Sequence, residues 1–264
     1  MIARDTSATA RTGSRASEWT VSVAGILVLL VAWQLLESVL PIPRYILPLP
    51  TSIVQSMVRN AGLLLANTWP TVIEALGGFV VGNWVAVGLA VMIVWSKTLE
   101  RTVYPIAILF RGIPIIAIAP IMVLWLGNGY SSKIAIAALI SFFPTLVNVI
   151  KGLTSVDHQA LELLDMFSAS KSQVFRLVRW PYAMPYLFAA LKIATTSSVL
   201  GAIVGEWIGS EQGLGYLVIL ATDQYRASLL FATLAISTVV ALVLFGLVGA
   251  AEHVFVRWHE ETRG

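Results

Sequence analysis

The chain has 264 residues, 58% of them hydrophobic and only 12% charged, with a formal net charge of +3; a soluble domain averages about 25% charged. Its 14 acidic and 17 basic residues cannot cover a water-facing surface, so the composition points to lipid. No basic run interleaves with aromatics, which excludes a nucleic-acid binder, and the lack of cysteine excludes disulfides, thiolate metal sites and a cysteine nucleophile.

Residues 1–18 read as a disordered cytoplasmic tail, with Arg4, Arg11 and Arg15 set against Asp5 and Glu18. The apolar run from Thr20 to Leu36 is too long for a signal-peptide core and is read as a retained first transmembrane helix, its connection filling out 19–67. A span takes about 20 predominantly apolar residues, and spans are expected near 20–40, 71–95, 104–126, 133–150, 185–208 and 227–250. The predicted fold is all-α, a polytopic membrane bundle of about six helices. Between the first two spans, Pro41, Pro43, Pro48 and Pro50 rule out a continuous helix and mark a turn outside the hydrocarbon.

Basic residues in the connections set the orientation. One side carries Arg4, Arg11, Arg15, Lys97, Arg101, Lys151, Lys171, Arg176, Arg179, Arg257 and Arg263, the other only Arg44, Arg59, Lys133 and Arg226. Both termini are therefore expected in the cytoplasm, with a core over 68–250, a cytoplasmic loop at 151–184 and a C-terminal tail at 251–264. Arg111 and Lys192 fall inside spans, where a charge at mid-depth costs about 2.5–3.5 kcal/mol. With Glu206 they are the candidates for a polar translocation path; the alternative is that such groups sit near an interface and snorkel. Glu74 is expected on an interfacial turn preceding the second span. Gly77, Gly78, Gly82, Gly88, Ala190, Ala194 and Gly201 suit close helix packing, and Pro105, Pro114, Pro120 and Pro144 imply kinks. His158, His253 and His259 lie outside the apolar runs, which argues against a metal site.

The loop from Asp157 to Pro185 reads as two short helices. Asp157 is positioned as N-cap of the first, and Ser170 with Gln173 forms a capping box for the second, separated by Ser168, Ala169 and Ser170. Leu161, Leu164 and Ser168 fall near one face of the first helix, with Leu163 and Phe167 beside them. A helix this short is marginal alone, so its apolar face must fold back on the bundle or enter a groove on a partner.

This loop resembles the EAA loop of binding-protein-dependent ABC importer permeases. Glu162-Leu163-Leu164 stands where that family has Glu-Ala-Ala, Ser168 where it has glycine, and Val178-Arg179-Trp180-Pro181 where it has a hydrophobic residue, Leu and Pro. Both alanines, the glycine and the leucine are thus replaced, while the spacing and the following Pro185 match. The resemblance extends from Thr68 onward, including Arg111-Gly-Ile-Pro114, Leu124 to Gly129 and Phe143-Pro144. Within the family it is nearest to nitrate, taurine and sulfonate permeases, and Leu200 to Ile208 with Gly213 to Tyr216 looks closest to carriers of riboflavin or thiamine-pyrimidine precursors.

The resemblance implies a type I ABC importer transmembrane architecture in the bacterial inner membrane. It implies that the first loop helix docks into a cytosolic ABC ATPase dimer, with Asp157, Leu161, Glu162, Leu163, Leu164, Phe167, Ser168, Ala169, Ser170 and Pro181 in or around the contact. It further implies an extracytoplasmic substrate-binding protein and a second permease copy, expected as a homodimer. No Gly-x-x-x-x-Gly-Lys-Ser/Thr run occurs, so ATP is expected on the partner and no cofactor on this chain. A secondary transporter or channel without an ATPase is the alternative reading, but it leaves the capped double helix without a purpose.

Overall fold

The computed structural model describes residues 15–39, 43, 45–96, 98, 99, 101, 102, 105, 109, 112 and 114–256, with no strand among them. The helices are α1 (Arg15–Val39), α2 (Pro50–Arg59), α3 (Ala61–Trp95), α4 (Ile115–Leu126), α5 (Tyr130–Thr154), α6 (His158–Met166), α7 (Lys171–Val174), α8 (Trp180–Glu206), α9 (Leu214–Asp223) and α10 (Ala227–Phe255). A π turn, Phe175–Arg179, joins α7 to α8. In lipid every backbone polar group must be satisfied within the fold, which is why apolar runs of this length become helices.

Four stretches are long and apolar enough to cross a membrane: α3, α5, the continuous run Lys171–Glu206, and α10. They correspond to four of the six expected spans. The first falls on α1, and the third is described at residues 105, 109, 112 and 114 and over its last part, α4. The second span begins ten residues earlier than expected, at Ala61, because α2 and a break at Asn60 take up the connection. Glu74 is therefore inside α3 and buried, not on a turn before it. Lys133, expected in a loop, is likewise buried within the first turn of α5.

The bundle is built on α5, which packs between α3 and α8. A Cβ on Gly78 would come within 2.3 Å of the Ala137 Cβ, and one on Gly201 within 2.6 Å of the Ala137 Cα, so both neighbours approach α5 through a missing side chain at the same residue. Gly82 repeats the contact four residues on, where a Cβ would meet the Ala138 carbonyl at 2.4 Å. Buried hydrogen bonds reinforce the pair: Thr145 Oγ1 to the Asn83 side-chain Oδ1, and Ser141 Oγ to the Gly78 backbone carbonyl at 3.3 Å. Toward the loop end, Ala86, Ala90 and Ile93 of α3 meet Leu146, Val149 and Leu153 of α5 and Ala183 of α8. At the far end α2, α9 and the starts of α3 and α10 close around Leu64, Leu217 and Leu229. The outer faces, including Trp84, Leu124, Val239 and Leu247, remain apolar and exposed, as lipid contact requires.

Of the expected packing glycines, Gly88 has open space around it. Gly78→Val should therefore cost about 2 kcal/mol by overpacking, or roughly 4–8 °C in thermal midpoint. Gly88→Val should leave the midpoint almost unchanged. Tryptophan-fluorescence melts of the detergent-purified protein compare the two.

Candidate functional site: a capped loop and a buried polar cluster

The loop is a rigid object. Asp157 accepts a hydrogen bond from the Gln159 amide at 3.2 Å, capping α6 as its sequence position requires. At the other end the Ala169 amide reaches back to the Leu164 carbonyl at 3.0 Å and the Ser168 amide to Asp165 at 2.8 Å. This is the Schellman pattern, and it places Ser168 at the left-handed position with φ 53°. The resemblance aligns Ser168 with a glycine, and the conformation supplies the reason: glycine occupies that backbone region without strain.

The capping box between Ser170 and Gln173 is present, with the Ser170 amide donating to Gln173 Oε1 at 2.8 Å. The second loop helix is not separate, however. It continues through the π turn into α8, because Pro181 and Pro185 have no amide to donate and the widened turn absorbs the interruption. Trp180 stacks obliquely on Phe175, and Phe175 meets Trp95 of α3 edge-on at 5.7 Å, which fixes the loop to the bundle. The Arg179 guanidinium donates to the Leu153 carbonyl at 3.4 Å from the other side.

Helix α6 is nine residues long, so Phe167 is its C-cap and Ser168 lies beyond it rather than on its face. Leu161 and Leu164 are half-buried, Leu161 on the flank that also carries Val174 and Arg179. Leu163, Met166 and Phe167 face solvent, the last two 83% and 76% exposed. Met166 is missing from the sequence-based set, although positions 163, 166 and 167 follow the three- and four-residue spacing of one helical face. Among the described residues Glu162 pairs only with His158, at 3.0 Å on the surface, which leaves it accessible. A groove of about 320 Å³ runs along the inner flank, bordered by Leu161, Glu162, Asp165, Ala169, Val174 and Arg179.

A second polar concentration lies at the far end. Glu206, the last residue of α8 and 1% exposed, accepts from Thr71 Oγ1 at 2.5 Å and from the Gly215 amide. Asn67 and Thr71 of α3 take the Gly213 and Leu214 amides at 2.8 Å each. Together these side chains satisfy the free amides at the start of α9, which an apolar setting would otherwise leave unpaired. Gly213 has φ 112°, and a Cβ there would lie 2.2 Å from the Glu206 carboxyl, so this approach requires glycine. The Glu74 carboxyl stands beside that of Glu206 and within electrostatic reach of Lys133. Lys133 Nζ donates to the Asn128 carbonyl at 2.8 Å and to Asn128 Oδ1 at 3.0 Å.

Of the three path candidates, the two among the described residues, Lys192 and Glu206, are not gathered in one place. Lys192 forms an ion pair with Glu252 of α10, and Phe245 lies 5.9 Å beneath its ammonium group. Glu206 is on the same helix as Lys192 but roughly 21 Å further along it, at 1.5 Å per residue. Arg111 lies outside the described residues.

An all-helical, multi-span bundle carrying a rigid capped loop has the form of a membrane transport subunit. The chain matches the family model described as "Binding-protein-dependent transport system inner membrane component" over residues 78–256, and it belongs to that family. Its relatives are ABC importer permeases. It is 34% identical to a "Probable ABC transporter permease protein" of Haemophilus influenzae, over 87% of this chain and 94% of the relative. It is 33% identical to the "Riboflavin transport system permease protein RibX" of Chloroflexus aurantiacus, over 88% of each. It is 32% identical to the "Formylaminopyrimidine transport permease protein ThiX" of Halalkalibacterium halodurans, over 89% and 94%. Among solved structures, a chain of the MetNI methionine ABC transporter in an inward-facing conformation superposes with a TM-score of 0.62 at 22% identity, covering 75% of this chain and 96% of that one. That likeness establishes the type I importer fold.

Because Ser168 holds a positive φ, Ser168→Gly should tighten the end of α6 by about 0.5–1 kcal/mol, while Ser168→Val should loosen it by about 1–2 kcal/mol. Hydrogen exchange of the loop amides, above all those of Ser168 and Ala169, should slow in the first variant and quicken in the second.

Proposed function

We propose that this chain, paired with a second copy, forms the translocation path of an ABC importer and couples it to a cytosolic ATPase dimer through α6. The observation that carries this reading is a nine-residue helix, capped at both ends, that leaves Leu163, Met166 and Phe167 in water. A soluble surface has no use for three adjacent apolar side chains on a rigid projection; an interface core does. Glu162 sits beside them as the polar contact, and Ser168, Ala169 and Ser170 hold the turn that aims them.

On this reading the loop end is cytoplasmic, as the excess of lysine and arginine on that side requires, and both termini are cytoplasmic too. ATP is bound and hydrolysed by the partner. Movement of α6 is passed to α8 through the π turn and tilts the spans, so that nucleotide state and path orientation share one coupling free energy. An extracytoplasmic binding protein delivers the solute to the far end. The solute is small and organic or anionic: riboflavin, a thiamine-pyrimidine precursor, or a sulfonate, taurine or nitrate. The relatives named for riboflavin and formylaminopyrimidine transport support the first two.

Glu162→Lys should weaken co-purification of the ATPase subunit and lower ATP-driven uptake, with membrane insertion intact. Phe167→Ala should do the same, by tenfold or more in affinity if the ring anchors the contact, taking about 2 kcal/mol for a central aromatic. Unchanged uptake together with unchanged co-purification in both variants would defeat the assignment.

A further inference from the structure

At the far end a recess of about 490 Å³ opens where α2, the end of α9 and the start of α10 meet. Arg59, the last residue of α2, and Arg226, the residue before α10, both border it and both are exposed. Among the described residues neither guanidinium pairs with a carboxylate, and Arg226 donates only to Asn60 Oδ1, at a long 3.4 Å. None of the described residues lining the recess is acidic; Gln55 and Ser228 add uncharged hydrogen-bonding groups. Lys133, the other described basic residue expected on this side, is spent on Asn128, so the unspent positive charge is concentrated here. Two guanidinium groups with no counter-charge suit an oxyanion.

The rings of Tyr45 and Tyr225 also border the recess, edge-on at 6.5 Å and 59% and 76% exposed. The Tyr225 amide donates to the Thr222 carbonyl at 3.0 Å and the Arg226 amide to the Ala221 carbonyl at 2.8 Å, a Schellman end to α9 that sets Tyr225 at φ 53°, where glycine is usual. A bulky side chain kept in that region is strained, and such strain gathers at binding sites.

Depth identifies the anion. Helix α10 has 29 residues, roughly 43 Å at 1.5 Å each, which matches the about 40–45 Å of a bilayer with its headgroups. Its first turn, beside Arg226, therefore lies at headgroup level. Helix α2 has the pattern of an interfacial helix: Val54 and Val58 are exposed on one flank, and Ser52, Gln55 and Arg59 lie on the other. A lipid satisfies both flanks, chains against the valines and headgroup in the recess, whereas an acidic loop of a soluble partner would leave the valines uncovered.

We propose that this recess binds an anionic phospholipid of phosphatidylglycerol type, its phosphodiester between Arg59 and Arg226 and its glycerol hydroxyls toward Gln55 and Ser228. Phosphatidylethanolamine is disfavoured, since its ammonium would enter a recess that holds two cations and no acid. The site requires only the membrane setting and does not depend on the importer reading.

The test is native mass spectrometry of the detergent-purified full chain, titrated with dioleoyl phosphatidylglycerol or dioleoyl phosphatidylethanolamine. Phosphatidylglycerol should bind about tenfold or more tightly, and hydrogen exchange over residues 52–60 and 224–229 should slow when it is added to nanodiscs. Arg59→Gln combined with Arg226→Gln should remove the preference. Arg101→Gln combined with Arg176→Gln, which takes the same charge from exposed positions on the loop side, should keep it. Tyr225→Gly relieves the backbone, so it should raise the thermal midpoint yet weaken phosphatidylglycerol severalfold, which separates loss of the ring from loss of the fold. The proposal is overturned if the two lipids bind alike, if Tyr225→Gly holds phosphatidylglycerol undiminished, or if inorganic phosphate at equal concentration displaces the lipid, which would make this a free-anion site. It is overturned equally if the Arg59 and Arg226 double variant keeps its lipid preference but loses uptake, for the arginines would then serve an acidic protein partner.

Discussion

Ala137 is held between Gly78 and Gly201, and the rest of the bundle depends on that contact. Hydrophobic burial supplies little force between helices in lipid, since the surrounding chains are as apolar as the side chains themselves; close van der Waals approach and interhelical hydrogen bonds supply it instead. With α3 and α8 seated on α5 through absent side chains, the three spans act as one body. Thr145 and Asn83 then have the short reach a buried polar bond needs. A three-helix unit that rigid can carry a displacement from one end to the other, where a looser bundle would absorb it.

The same lack of water governs the far end. Helix α9 starts within the bundle, and its first amides need acceptors the hydrocarbon cannot offer. Asn67, Thr71 and Glu206 provide them. Glu206 is thus tied to the start of α9 in a way that explains its burial without a pathway, and the Glu74 carboxyl of α3 is held against it by a side-chain hydrogen bond.

Much of this was legible in the sequence. Apolar run length located the spans, and cap chemistry located both loop helices, because Asp157, Ser170 and Gln173 act through local hydrogen bonds that spacing alone specifies. What sequence reading missed is non-local. Glu74 looked interfacial because a carboxylate in an apolar run suggests a boundary, and only the arrival of α5 and α8 shows that it has buried polar company. Lys133 was assigned to a loop for the same reason. The extension of α3 to Ala61 was hidden by Asn67, Thr68 and Pro70, which lower helical expectation locally, yet Asn67 and Thr71 sit there because α9 needs their acceptors. The continuity of α7 with α8 was obscured by Pro181, whose missing donor a π turn accommodates.

That continuity bears on how the proposed coupling would act. If α6 and α7 were both free-standing, a push on the loop would be lost in the flexing of two linkers. Instead the capping box at Ser170 starts a helical run that does not end until Glu206, with Phe175 in contact with both Trp95 and Trp180 at its base. A displacement of α6 would therefore have one non-helical joint to cross, the Schellman turn at Ser168, before it meets a span that ends in the carboxylate capping α9. Under the proposed coupling, the position where the family resemblance expects glycine would be the joint between α6 and the long helical run, and the stiffness of its left-handed backbone would set how much of the motion reaches the far end.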